Sequence, residues 1–435
     1  MVPDCMGICG PDYDHQRGGP RAAKHDLLPG ETEVSDTVDI LFQDWINLIL
    51  RWAHLITGIA WIGSSFYFVW LDLSLRKRPG MDDGVYGEAW MVHGGGFYHV
   101  NKWMVAPSTM PPELHWFKYE AYFTWITGFA LLVTMYYWSA ESYLIDPSVL
   151  ALSKMDAILI GLGSLFAGWV IYDIICKSSI GKRTDTLAVA LFILIMVASY
   201  LFTHVFSGRG AFIHVGAMIG TIMAANVFRI IIPNQKKVVA SLMAGEKPDP
   251  KLGLQAKQRS THNNYLTLPV LLMMISNHYS MLFSHDQSWV IVGLILIIGG
   301  LVRHFFNTRN AGGTGKAIVW QLPAAALGMA ILAMFASYDP KAIKLADEDI
   351  ISRDHALAIV QTRCTSCHSA NPRDEGFDEA PAGVMFDDIA QIEANAQRIL
   401  AQAVIGRAMP LGNMTEMTDE ERAQLGQWIR AGMPE

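Results

Sequence analysis

The chain has 435 residues, of which 51% are hydrophobic and 17% charged, and its mean hydropathy is +0.25. That hydropathy is high for a soluble protein of this length and indicates that most of the chain lies in a lipid membrane. Five cysteines are too few for a disulfide scaffold. The formal net charge of −7 argues against nucleic acid as a partner.

The acidic surplus is confined to the C-terminal part of the chain. From Lys341 onward there are nine Lys and Arg against sixteen Asp and Glu, and the rest of the chain is balanced. Such a surplus suits the docking of a basic electron-transfer partner, and a plain solvated face is the alternative interpretation.

The first 37 residues are polar and contain no apolar core that could act as a cleaved signal. They are predicted to be a disordered leader. Cys5 and Cys9 lie in it without neighbouring metal ligands, so we interpret them as incidental thiols.

Residues 38–338 are predicted to form a transmembrane domain, because apolar stretches long enough to cross a bilayer recur in it. About eight such helices are predicted: 46–70, 120–139, 155–175, 185–204, 211–232, 264–284, 288–306 and 317–337. Lys and Arg concentrate in the connections after the first, third, fifth and seventh. By the positive-inside rule these connections are cytoplasmic, and both termini lie outside.

Three local patterns in this domain have structural interpretations. Gly161, Gly163 and Gly168 lie in an apolar helix with no strand before them, which indicates close helix packing rather than a dinucleotide loop. The run Ser260–Tyr265 is rich in cap-forming residues and predicts the start of the sixth helix. The long connection Leu71–Lys118 carries several Trp and His residues, which favours contact with the membrane surface.

Ionisable side chains inside spanning helices are rare and usually functional. Four histidines are predicted towards the outer side: His54, His204, His214 and His278. Arg51 lies one helical turn before His54 and shares its face. The set predicts a pocket for an anionic substrate, a pair of axial ligands for a membrane haem b, or hydrogen-bonded packing groups.

Residues 339–350 are charged, contain Pro340 and are predicted to be a linker. The segment 351–435 follows, with helices predicted at about 351–363, 387–404 and 418–432. Between the first two, Cys364, Cys367 and His368 have the CxxCH spacing by which a c-type haem is attached covalently. A zinc site is disfavoured, because no further Cys or His follows. The segment is therefore predicted to be a class I-like cytochrome c domain.

The second axial ligand of this haem is expected to be a soft residue downstream of the motif. Met409, directly before Pro410, is the predicted ligand, with Met414 and Met417 as alternatives. His368 and Met409 would then be the two iron ligands. Haem is attached to CxxCH outside the cytoplasmic membrane in bacteria, which agrees with the predicted topology. The chain is accordingly expected in a bacterial inner membrane, with the cytochrome domain in the periplasm.

Together these motifs resemble the membrane-bound cytochrome c urate oxidases, also called urate hydroxylases. The first helix contributes Arg51, Trp52, His54, Gly58, Trp61 and Gly63; His262–Tyr265 and Asn277–Tyr279 flank the sixth, and the haem motif with Met409-Pro410 completes the pattern. The resemblance runs from about residue 38 to the end of the chain. The predicted leader, residues 1–37, does not take part in this resemblance.

The resemblance implies that the chain oxidises urate to 5-hydroxyisourate with oxygen from water. Electrons would leave through the haem to a soluble cytochrome c or a terminal oxidase. This chemistry needs a base and a cation for the urate anion, and we assign these roles to His54, His278 and Arg51 from depth and chemistry. The alternatives are a quinol-to-cytochrome electron-transfer protein, which needs a haem b beside the haem c, and a redox-regulated sensor or transporter.

Overall fold

The computed structural model of the protein describes residues 29–106, 110, 113–338, 350–374, 377 and 379–435. Residues 1–28 of the predicted leader and 339–349 of the predicted linker lie outside the described residues. The chain divides after Leu48 into two compact units, 1–48 and 49–435. Helix α1 (Pro29–Ser74) begins eight residues before the predicted end of the leader at residue 37.

The described part of the membrane domain is mostly helical, as predicted. After α1 it contains α2 (Tyr119–Leu132), α3 (Ala140–Tyr143), α4 (Lys154–Lys177), α5 (Thr184–Thr203), α6 (Gly208–Ala225), α7 (Ile232–Met243), α8 (Pro250–Ile275), α9 (Ser280–Phe283), α10 (Ser288–Asn310) and α11 (Gln321–Ser337). A π-helical turn extends α2 to Tyr137, and another joins α6 to α7.

Six helices in the described residues are long and apolar enough to cross a membrane. They cover Asp44–Ser74, Lys154–Lys177, Thr184–Thr203, Gly208–Met243, Ser288–Asn310 and Gly315–Ser337. Many of their large apolar side chains are exposed, among them Trp52, Phe166 and Leu327. A soluble domain rarely exposes so much apolar surface, whereas lipid covers it, so the fold is consistent with a membrane protein.

The two other predicted spans, 120–139 and 264–284, correspond to less regular elements. The first comprises α2 and its π-helical turn. The second is broken, because α8 ends at Ile275 and a 3₁₀ turn separates it from the short α9.

The predicted helix start at Ser260 is wrong, because α8 begins ten residues earlier. Asp249 caps it by accepting a hydrogen bond from the Lys251 backbone, and Pro250 occupies the first turn. The polar run therefore lies in the middle of a helix. Its buried members bond to other helices, as where Asn263 donates 2.9 Å to the Met223 carbonyl oxygen.

The spanning helices define two ends of the bundle. The upper end comprises the connections 139–153, 204–207 and 276–287, and the lower end comprises 178–183, 244–249 and 311–320. Near the lower end, Arg259 of α8 is 2% exposed and pairs with Asp173 of α4, Nη2 to Oδ1 2.7 Å. A buried charge needs such a partner, so this ion pair ties α8 to α4.

Helix α4 packs closely on its neighbours through two of its three predicted packing glycines. A Cβ at Gly161 would lie 2.8 Å from both the Tyr137 hydroxyl oxygen and His214 Nε2, and one at Gly168 would meet Met218. Gly163 has open space around it. The close-packing interpretation is thus right for Gly161 and Gly168 and wrong for Gly163.

The connection after α1 contains the one exception to the predicted all-α fold in the described residues. Strands β1 (Val85–His93) and β2 (Gly96–Trp103) form an antiparallel hairpin. Gly94 and Gly95 at its tip have φ of 59° and 79°, which a tight hairpin turn requires and glycine adopts without strain. Arg76 pairs with β1 and donates to the Asn310 carbonyl oxygen, so the hairpin lies at the lower end.

The C-terminal segment, residues 350–435, has its own helices and core. Its helices are α12 (Arg353–Arg363), α13 (Ile389–Ala394), α14 (Ala396–Ile399), which a π-helical turn extends to Ile405, and α15 (Asp419–Arg430). They lie where the sequence predicts helices. Trp428 is fully buried in the core, and its indole N–H donates to the Pro434 carbonyl oxygen at 2.9 Å.

The C-terminal segment contacts the upper end of the bundle through residues 406–412. Ala408 is buried in the apolar core of the bundle itself. A Cβ added at Gly412 would lie 3.1 Å from the Ile145 carbonyl oxygen, and Gly406 packs as closely on Ser280. We call residues 406–412 the contact loop.

The packing at Gly161 can be tested by one substitution. In the Gly161→Ala variant the new methyl group meets two atoms that hydrogen-bond each other, Tyr137 Oη and His214 Nε2, 3.1 Å apart. We expect the free energy of unfolding to fall by about 1–3 kcal/mol. The measurement is the midpoint of thermal unfolding in detergent. Gly163→Ala, on the same helix, is the control, and equal midpoints for the two variants would contradict the packing account.

Candidate functional site

The residues Cys364–His368 form a single turn at the end of α12. The backbone N–H groups of Cys367 and His368 both donate to the Cys364 carbonyl oxygen, at 3.3 and 2.9 Å. Neither cysteine is in a disulfide. The turn therefore presents two free thiols and an imidazole from five consecutive residues.

The imidazole of His368 is held in one tautomer. Its Nδ1 lies 2.9 Å from the Val384 carbonyl oxygen, which can only accept, so Nδ1 carries the proton. The Nε2 lone pair remains available for a metal ion. A hydrogen bond from the non-ligating nitrogen to a carbonyl is the usual support of a metal-binding histidine.

The three candidate methionines differ in their surroundings. Met417 is 3% exposed and belongs to the core of the C-terminal segment, whereas Met414 is 39% exposed at the surface. Met409 is partly buried and packs against the same core as Cys364. These positions favour Met409 as the thioether ligand that the sequence predicts.

A buried arginine holds the backbone of Met409. Arg422 of α15 is 5% exposed and donates from Nη1 to the carbonyl oxygens of Ala403 and Met409, the latter at 2.7 Å. Its Nη2 donates to Asn413 Oδ1 at 3.0 Å. Burial lowers the pKa of Arg422 to about 10, so the guanidinium stays charged at neutral pH.

A second arginine joins the CxxCH turn to α15. Arg363 donates to Glu421 Oε1 at 3.0 Å and to the Thr415 carbonyl oxygen. Glu421 also accepts from the Thr418 backbone in a capping box. Burial alone would raise the pKa of Glu421, but these hydrogen bonds outweigh burial and hold its pKa below the usual range.

The residues present fit a covalently attached haem c. Two free thiols, an imidazole with a free Nε2 and a partly buried thioether are the donor set of that group. Groups of three or more His, Cys, Asp or Glu that could hold a separate metal ion do not occur among the described residues.

The four histidines predicted at one depth do not form a single cluster. His54 Nδ1 donates 3.0 Å to the Thr124 carbonyl oxygen, near the middle of the α2 span, and Gly128 leaves room for its ring. His54 is thus deeper than predicted. His204 is exposed at the upper end and bonds to the Tyr200 carbonyl oxygen at 2.7 Å.

His214 is fully buried and has both ring nitrogens occupied. Nδ1 donates 2.8 Å to the Gly210 carbonyl oxygen, and Nε2 accepts from the Tyr137 hydroxyl at 3.1 Å. It has no nitrogen free for a haem iron. This histidine packs the bundle, which is one of the three alternatives that the sequence leaves open.

Arg51 and Asn277 both contact the π-helical turn that extends α2. Arg51 Nη2 lies 3.3 Å from Met135 Sδ, and the neighbouring Tyr136 donates its hydroxyl to Asn277 Oδ1 at 2.7 Å. His278 follows Asn277, is exposed, and makes no hydrogen bond with any described residue.

A cavity of about 690 Å³ lies between the upper end of the bundle and the C-terminal segment. The bundle contributes Tyr143, Arg209 and Phe283 among others, and the contact loop contributes Arg407–Gly412 except Met409. The proposed catalytic residues Arg51, His54 and His278 do not line it.

Arg209 was not among the predicted site residues. Its sequence signal is its charge, because it lies between the predicted spans 185–204 and 211–232, in a connection where the charge pattern predicts few basic residues. Tyr143 and Phe283 carry no comparable signal, because uncharged aromatic residues are common in and around membrane spans.

The fold and the candidate site define a mostly helical protein with six membrane-length helices and a C-terminal helical segment that carries a CxxCH turn. Residues 40–337 match the model of the family described as urate oxidase N-terminal, and the chain belongs to this family. Membership suggests a urate-related oxidoreductase. No curated protein and no solved structure shows significant similarity to the chain.

Proposed function

We propose that the protein is a membrane-bound enzyme that oxidises urate to 5-hydroxyisourate with oxygen from water. The observation that carries the proposal is the joint presence in one chain of a urate oxidase family domain and a CxxCH turn whose His368 keeps Nε2 free. The family domain supports urate as the substrate. The CxxCH turn supports a haem that would carry the electrons away from urate.

The C-terminal segment would hold the haem through four residues. Cys364 and Cys367 would form the thioethers, and His368 and Met409 would ligate the iron. When bound, the haem would accept electrons from urate one at a time and deliver them to a soluble cytochrome c or a terminal oxidase. The acidic surplus of this segment suits a basic partner.

Water attack on the oxidised purine needs a proton acceptor and a nearby cation. His278 supports the first role, because its exposed imidazole has no described hydrogen-bond partner. Arg51 supports the second through its place beside Met135 and Tyr136. The role of His54 as a base is less well supported, because its ring is turned towards the middle of α2.

We also propose the topology that the charge pattern predicts. Eight spans, counting the α2 and α8 regions, would put the basic lower end in the cytoplasm and the C-terminal segment in the periplasm of a bacterial inner membrane. The lower-end hairpin with His93 and His99 would then lie across the membrane from the haem. This makes it a poorer location for the urate site than the upper end.

The competing function is a quinol-to-cytochrome conduit with a haem b in the membrane domain. Urate turnover and the haem content of the protein distinguish the urate-oxidising enzyme from the quinol conduit. We expect the purified protein to convert urate in the absence of oxygen, with ferricytochrome c as the acceptor, and to place ¹⁸O from labelled water in the product. After acid–acetone extraction, which removes non-covalent haem, one covalent haem per chain should remain on the protein. An extractable haem b together with quinol-dependent but urate-independent reduction would contradict the proposal.

The axial ligand can be tested by replacing methionines one at a time. In Met409→Ala the iron would lose its thioether ligand, so we expect a high-spin visible spectrum and a shifted reduction potential. Met414→Ala is the control, because Met414 is 39% exposed at the surface, and it should leave the spectrum unchanged. A reduced spectrum of Met409→Ala identical to the parent would remove Met409 from the site.

A further inference from the structure

The cavity above the bundle is separate from the proposed haem site. Ala408, Pro410, Leu411 and Gly412 line it, but Met409 between them does not. Met409 packs instead against the core of the C-terminal segment. The contact loop is therefore a wall with the cavity on one side and the predicted iron ligand on the other.

The size of the cavity suits a small organic ligand. Its volume of about 690 Å³ falls within the range of about 300–1,000 Å³ that is usual for ligand sites. Its walls combine the aromatic rings of Tyr143 and Phe283 with three arginines, His285 and four carboxylates, Asp146, Asp286, Glu416 and Asp419.

Most charged groups in the cavity wall are already engaged. Arg407 pairs with Asp419 at 2.8 Å, and Arg422 donates to Ala403, Met409 and Asn413. His285 accepts from the Gln287 backbone on Nδ1 and donates to the Tyr338 carbonyl oxygen from Nε2. Both ring nitrogens of His285 are therefore occupied.

Two charged side chains of the described wall are exceptions, the exposed carboxylate of Glu416 and the guanidinium of Arg209. Arg209 makes no hydrogen bond or ion pair with any described residue, and its guanidinium lies 5.8 Å from the Tyr143 ring centre and 5.5 Å from that of Phe283. Stacking of this kind orients a guanidinium and leaves its N–H donors free. A planar anion with adjacent acceptors is the ligand that such a fork recognises.

The surroundings hold Arg209 and the two rings in place. The Ser207 hydroxyl donates to the Tyr143 carbonyl oxygen at 2.8 Å and accepts from Gly210 N–H at the start of α6. On the other side Gly208 packs against the Phe283 carbonyl, so closely that a Cβ would not fit. These contacts join α3, α6 and α9 at the point where the Arg209 side chain leaves α6.

We propose that this cavity binds the urate anion, with Arg209 as its charge partner and the rings of Tyr143 and Phe283 as its apolar walls. This inference rests on the proposed function for its substrate, but it places urate away from Arg51, His54 and His278, which do not line the cavity. It gives the role of the cation to Arg209 in place of Arg51. Bound here, the purine lies against the contact loop that carries Met409.

The test is equilibrium dialysis of ¹⁴C-labelled urate against the full, haem-loaded chain in detergent. The haem is first reduced with ascorbate, so that bound urate is not consumed. We expect Arg209→Gln to bind urate at least about tenfold more weakly, as the loss of a charge-assisted hydrogen bond implies. Arg209→Lys, which keeps the charge but loses the fork, should lie in between.

Arg229→Gln is the matched control, because Arg229 is an exposed arginine on the continuation of the same helix, away from the cavity. It should bind like the parent. Xanthine, another planar oxopurine, should displace urate, whereas inorganic phosphate should not. Dithionite-reduced spectra of each variant check that the haem domain is intact.

The outcomes separate the two proposals. If the parent is reduced by urate and Arg209→Gln binds urate as well as the parent does, the cavity is not the site and the proposed function stands. If phosphate displaces urate as readily as xanthine does, the cavity is a general anion site and the inference fails. If urate neither binds to the parent nor reduces its haem, both proposals fail.

Discussion

The contact between residues 406–412 and the upper end of the bundle is the constraint on which the arrangement of the protein depends. Ala408 is buried in the core of the bundle, and glycines at both ends of the loop allow the backbone to approach Ser280 and Ile145 closely. The contact loop packs against the bundle through Ala408 and against the C-terminal core through Met409. Both contacts therefore fix the position of Met409. In the proposed function, a substrate site at the upper end and a haem in the C-terminal segment would lie on opposite sides of this loop.

Burial inside the bundle separates structural polar groups from candidate functional ones. His214 has both nitrogens satisfied, and Arg259 pairs with Asp173, so both stabilise helix packing. Arg209 and His278 have no such partners in the described part of the chain. Free hydrogen-bonding capacity at the upper end, rather than the presence of an ionisable side chain, marks the groups available for chemistry.

How much the sequence predicts depends on how its residues are spaced. Cys364, Cys367 and His368 lie within one turn, so their spacing alone predicts a haem site, which stays a prediction. The helices around them were placed correctly. Long apolar runs likewise predicted the membrane-length helices. The hairpin was missed, although three consecutive glycines and the alternation before them are its signals.

The cavity could not be predicted from the sequence, because Tyr143, Arg209 and Phe283 come from three distant stretches of chain that only packing brings together. The histidine cluster failed for a related reason. Position along a helix gives an approximate depth but not the direction of the side chain, so His54 proved deeper and His214 proved to be packed. The start of α8 was misplaced because a buried polar run can resemble a helix cap.

The central claim is that one chain takes electrons from urate and passes them to its own haem. The most direct test is the visible spectrum of the oxidised, detergent-purified protein without oxygen, before and after urate is added. The account predicts that the absorption bands of reduced haem c appear. A spectrum that urate leaves unchanged, but that a quinol converts to the reduced form, would contradict it.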